Sequence, residues 1–169
     1  MKSYMNRYWI AVISSMLCLT GCEKGCISNP QNTSTKGCGF LFVYDDHEIP
    51  NIPNSYIWVQ ADDENLNLGS EFKTFDLSLN PHIASAIESW NSPYQYCTDA
   101  LIWGQERTHE WTARSGLVKI RIERDYNSCE RGYVVDVELV NVTYEDSIGN
   151  VRSIKQMYFD NVLVGFTIP

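Results

Sequence analysis

GLVKIRIERD, residues 116–125, sets Val118, Ile120 and Ile122 on one side of an extended chain and Lys119, Arg121 and Glu123 on the other. A two-residue alternation of apolar and charged side chains marks a strand with one face in a core and the other in solvent. Two longer β-rich runs follow, GYVVDVELVNVTYED (132–146) and VRSIKQMYFDNVLVGFTI (151–168), divided by the turn-forming SIGN at 147–150. Three strands with short connections predict an antiparallel meander. The alternation switches phase within YVVDV (133–137) and FDNVLVG (159–165), where bulges or bends between sheets are expected.

Moving towards the N-terminus, FLFVYDD (40–46), SYIWVQA (55–61) and EFKTFDLSL (71–79) carry the aromatic and β-branched bias of further strands. In the last, Lys73, Phe75, Leu77 and Leu79 share a mostly apolar face. NPHIASAIESW (80–90) reads differently. Asn80 is placed as an N-cap, Pro81 sits at the first helical position, and Ile83, Ala86, Ile87 and Trp90 fall at i, i+3, i+4 and i+7. The expectation is an all-β fold, an antiparallel β-sandwich or partly open barrel, with one short helix near residues 81–90 and Trp90 packed in the core.

Residues 1–21 read as a targeting segment. Lys2 and Arg7 precede the apolar run WIAVISSMLCL (9–19), no acid appears before Glu23, and the run is shorter than the roughly 20 apolar residues that span a bilayer. It ends in LTGC, Leu19–Cys22, which resembles the lipobox of bacterial lipoproteins. The resemblance covers residues 1–22 only. It implies cleavage before Cys22 and acylation of that cysteine, hence a domain held on the lipid bilayer of the cell envelope. Glu23 stands where the family's aspartate often marks inner-membrane retention, which points the expectation to the outer membrane. Residues 22–39 then form a lipid-anchored flexible tether, and 40–169 a single β-rich domain.

Cleavage discards Cys18 and lipid takes Cys22, leaving Cys26, Cys38, Cys97 and Cys129, an even set for an oxidising compartment. Of three pairings, Cys26 with Cys38 and Cys97 with Cys129 is favoured, because the first closes a short polar loop and the second ties two halves of the domain. No C-x-x-C pair or nearby histidine suggests zinc. Of the 13 basic residues, loss of Lys2 and Arg7 leaves 11 against 21 acids, a formal charge of −10. So acidic a chain has no clustered cations to attract nucleic acid, which sets that partner aside.

His47, His82 and His109 lack the spacing of a zinc helix, and no nucleophile elbow, phosphate loop or dinucleotide fingerprint occurs. No cofactor is expected. Asp63, Asn65 and Asn67 alternate as the first ligands of a calcium loop do, but Gly69 falls one position late and Thr74 stands where a glutamate is needed. They are weak candidates, as is the carboxylate-rich YDDHE (44–48). The segment 90–111 holds Trp90, Tyr94, Tyr96, Trp103 and Trp111. Trp103 is expected in the core. Tyr94, Tyr96 and Trp111 form the candidate ligand surface, since flat rings with a polar edge suit stacking on glycan or peptide.

Three function classes remain. The leading one is a membrane-anchored, cell-envelope lipoprotein with a non-catalytic binding or structural role towards a protein or glycan partner. The second is an inhibitor or immunity-type protein, whose acidity would steer it to basic targets. The third is an envelope-glycan hydrolase, which needs two facing carboxylates in a cleft.

Overall fold

The computed structural model describes residues 36–62, 66–97, 103–125 and 132–165. Among these the chain forms eight strands: β1 (Lys36–Cys38), β2 (Leu41–Asp46), β3 (Ser55–Ala61), β4 (Lys73–Asp76), β5 (Ile83–Trp90), β6 (Arg107–Asp125), β7 (Tyr133–Glu145) and β8 (Val151–Val164). They pair antiparallel in the order β1-β2-β3-β5-β6-β7-β8, with β4 on the C-terminal half of β6. The sheet curls into a half-barrel. Its two edges meet where the Gly165 amide donates to the Gly39 carbonyl and the Tyr133 hydroxyl to that of Phe40.

The concave face holds the core. Val43, Ile57, Val59, Ile87, Val118, Ile120, Val135, Val137, Leu139, Tyr144 and Phe159 are buried there, drawn from all the long strands. On the other face of β6–β8 the alternate positions make cross-strand polar pairs. Lys119 reaches Glu138 at 2.9 Å and Arg121 reaches Asp136 at 2.7 Å, while Gln156 donates to the second Glu138 oxygen. The expected all-β fold and the three-strand meander are thus present.

Both expected phase changes are one bulge. Val135 pairs with Val162 but Val137 pairs with Phe159, so Asp160 and Asn161 oppose the single Asp136. Asn161 takes φ 55, and its amide donates to Asp136 at 2.8 Å. A carboxylate on the bulge-facing position thus satisfies the amide that the ladder leaves over.

The expected helix at 81–90 is instead β5, a central strand between β3 and β6. Beyond the exposed Ala84 both its faces are covered: Ile83, Ser85, Ile87 and Ser89 point into the barrel, and on the outer face Ala86 and Glu88 are buried and Trp90 half-buried. Burial on two faces erases the polar alternation that reveals a strand. Inward serines are satisfied, Ser89 by Ser55 and Ser85 by Tyr144, both at 2.9 Å. Asn80 and Pro81 begin a turn, closed by the Ile83 amide on the Asn80 carbonyl, instead of capping a helix.

Two further expectations are corrected. The disulfide joins Cys38 to Cys97, with Cα atoms 5.8 Å apart, which breaks both favoured pairings; Cys26 and Cys129 lie outside the described residues. Strand is already present at Lys36–Cys38, ahead of Phe40, and β4 occupies only the middle of 71–79, with Phe75 in the core and Leu79 exposed.

Candidate binding surface

The convex face of β2, β3 and β5 bears side chains unlike those of an ordinary solvent face. Alternation places Phe42 and Tyr44 of β2, Tyr56 and Trp58 of β3, and Glu88 and Trp90 of β5 on it. After Trp90 the chain turns back across these rings as a strap, residues 91–97, and its end is fixed to β1 by the Cys38–Cys97 bond. Tyr96 lies at the centre. Its ring is 4.9 Å from Tyr44, 5.4 Å from Phe42, 5.7 Å from Tyr56 and 4.8 Å from Tyr94. Tyr94 stacks on Trp90 at 3.8 Å with the planes nearly parallel, and its amide donates to the Tyr56 hydroxyl. Edge-to-face and offset pairs of this kind each add about 0.5–1.5 kcal/mol beyond the area they bury.

A charge lies beneath the rings. The Glu88 side chain is only 6% exposed, and its carboxylate accepts from the Tyr96 hydroxyl and from Arg107, both at 2.7 Å. Trp90 Nε1 donates in turn to the Tyr96 oxygen. Burial, and then the bond to Glu88, raise the Tyr96 hydroxyl far above its ordinary range, so it stays a donor throughout. The Glu88 bond likewise raises Arg107. The result is a second, aromatic core outside the barrel. Tyr44 and Tyr56 are its buried floor, and Phe42, Trp58, Trp90 and Tyr94 keep partly exposed edges.

Two depressions flank the layer. One of about 840 Å³ lies between residues 46–56 and Pro93; one of about 420 Å³ runs from Cys38–Phe42 to Gln60–Asp62 and Tyr96. The first owes its shape to the tandem IPNIPN, residues 49–54. In each repeat a proline leads into an asparagine of positive φ, Asn51 at 65° and Asn54 at 50°, and the Ile52 amide closes the first turn on Ile49.

The expected ligand surface therefore divides. Tyr94 and Tyr96 are brought together, but Trp111 is 3% exposed inside the barrel, stacked on His109 and under the Arg152 guanidinium. Trp103, expected in the core, is 98% exposed, and Trp90 is a half-buried member of the outer layer. Sequence reasoning missed Phe42, Tyr44, Tyr56 and Trp58. Their signal was present, since FVY and YIW put aromatic residues at alternate positions of two strands, and these alternate rings share a face.

Cys22, Asp63 and Asn65 lie outside the described residues. Asn67 is exposed, with φ 49. Asp45 and Asp46 leave β2 towards opposite faces, and among the described residues no three His, Cys, Asp or Glu side chains gather as metal ligands do. No helix among the described residues is long and apolar enough to cross a membrane. No family model, curated protein or solved structure matches the chain, so the surface must be read from its own chemistry.

Proposed function

We propose that this protein is a lipoprotein of the bacterial cell envelope, anchored through acylated Cys22, with a non-catalytic role in binding a protein or glycan partner. The observation that carries the reading is the disulfide-fixed aromatic strap. A bond such as Cys38–Cys97 belongs to an oxidising compartment, which accords with export directed by residues 1–21. Its position supports binding, because it holds rings in a fixed arrangement while leaving the edges of Phe42, Trp58, Trp90 and Tyr94 accessible. Pre-ordered aromatic side chains lose little entropy on engagement and bury large area.

The buried carboxylate of Glu88 supports the same reading: it is engaged by Arg107 and Tyr96 and serves to fix the layer. The test has two parts. Cys22→Ser should abolish incorporation of radioactive palmitate and release the protein from the membrane fraction; labelling that survives the substitution rejects the anchor. The acylated protein should then retain cross-linked partners from its own envelope, and Tyr94→Ala should lose the same partners while keeping its fold. Partners retained equally by that variant would reject the aromatic layer as the binding surface.

A further inference from the structure

We propose that the end of the half-barrel at which β2, β5 and β7 finish rests on a surface of zwitterionic phospholipid, with Trp103 and Ile148 entering the headgroup layer. This rests on the acylated Cys22 proposed above. Trp103 is 98% exposed and Ile148 82%, and Val151 beside the latter is also exposed. Each large side chain stands on an ordered turn. Asn91 accepts from the Glu106 amide and donates to the Gly104 carbonyl, and Gln105 donates to Pro93. In the other turn Asp146 accepts from the amides of Ile148 and Asn150 and from the Asn150 side chain. The apolar tips are therefore displayed by built turns.

The tips share one end of the sheet. Trp90 pairs with Arg107 and Glu145 with Thr112, so both connections leave the same end of β6, and Ile148 lines a depression together with Thr108, His109 and Glu110. The chain also enters from that end. Lys36 pairs with Tyr44, two residues from the end of β2, and β1 runs from there towards the opposite end. Thirteen residues separate Cys22 from Lys36. Even fully extended they reach only about 45 Å, at roughly 3.3–3.6 Å per residue, and a relaxed tether is much shorter. Tryptophan is favoured at the boundary of water and lipid because its indole is both apolar and a donor.

Charge selects the lipid. Glu106, Glu110, Glu145 and Asp146 surround the tips, whereas Arg107 is paired with Glu88 and Glu110, and Arg114 with Glu145. An anionic headgroup would be repelled, and a neutral one tolerated.

The test places the acylated full-length mature protein in phosphatidylcholine vesicles with a nitroxide quencher near the headgroup. The native protein should show a quenched, blue-shifted component that Trp103→Phe lacks, because phenylalanine keeps the contact but not the emission. Without acylation, Cys22→Ser should associate with the same vesicles several-fold more than Cys22→Ser with Trp103→Ser and Ile148→Ser. That association should weaken as anionic lipid is added. Equal quenching in native protein and Trp103→Phe, with the protein still acylated and vesicle-bound, overturns the docking alone. Absence of an acyl mass on Cys22 overturns the anchor and the docking with it. Partner-protein binding that depends on Trp103 without lipid quenching assigns the tips to a protein and also overturns the proposal.

Discussion

At the scale of single residues, backbone geometry carries the sharpest consequence at Gly116. Its φ is +119, and a Cβ there would lie 2.6 Å from the Val142 Cα and 2.8 Å from the Asn141 carbonyl. Asn141 itself takes φ 51, and opposite it β6 is one residue short, since Leu117 pairs with Val140 and Ser115 with Thr143. Gly116 thus makes the bend at which β6 leaves β5 and takes up β4. Gly116→Ala combines an unfavourable φ with a backbone clash, and should lower stability by at least about 1–3 kcal/mol in urea unfolding. His47 offers a pH-dependent counterpart. Partial burial first, and then the Arg152 charge, lower its pKa, against an upward pull from Asp45. The unfolded chain therefore takes up the proton first as pH falls. His47 contributes stability that is complete above about 6.5 and is lost as pH drops from there towards the lowered folded value. The melting temperature should fall over that window, and His47→Gln should flatten the fall.

At the scale of elements, the strap over β2, β3 and β5 is held at both ends, by β5 itself and by Cys97. The bond spans 59 residues of sequence. Replacing both Cys38 and Cys97 with serine should cost about 2–4 kcal/mol, and the near-ultraviolet circular dichroism of the packed tyrosines should diminish along with the melting temperature. The Glu88 carboxylate tests the same layer from below. Glu88→Ala leaves the part-buried Tyr96 hydroxyl without its acceptor and Arg107 with Glu110 but not Glu88, at a cost of about 1–3 kcal/mol in chemical denaturation. These elements also show why β5 was illegible. In ASAIESW every inward position but Ile87 is a serine, and of the outward positions Glu88 and Trp90 are engaged by the strap. Neither face carries the contrast that a strand normally writes into sequence. The meander was legible because Lys119, Arg121 and Glu138 face outward between apolar neighbours.

At the scale of the whole molecule, legibility failed where one part of the sheet depends on another distant in sequence. Trp111 could not be placed by extending the alternation of Val118, Ile120 and Ile122 backwards, because Arg114 is an extra residue of β6 between Ala113 and Ser115, whose partners Tyr144 and Thr143 are adjacent, and that single change of phase puts Trp111 on the inner face. The strap and the Cys38–Cys97 bond likewise exist only because β1, β2, β3 and β5 are already side by side. The same holds for closure, where β1 meets the end of β8. Gly37 occupies that seam: a Cβ on it would fall 2.7 Å from a methyl carbon of Val162 and of Val164, and 2.9 Å from the Phe42 carbonyl. Any side chain must therefore push β1 away from β8, where Gly165 and Tyr133 bond across to Gly39 and Phe40. The β6–β7–β8 meander makes its own ladder and does not need that seam. Gly37→Val should consequently open the barrel without unfolding it. In hydrogen exchange, amides of β1, β2 and the β8 end near Val162–Val164 should lose protection, while those of β6 and β7 around Val118–Ile120 and Val137–Leu139 keep theirs. Uniform loss across all strands would mean that closure and meander form one cooperative unit, and that the half-barrel has no independent seam.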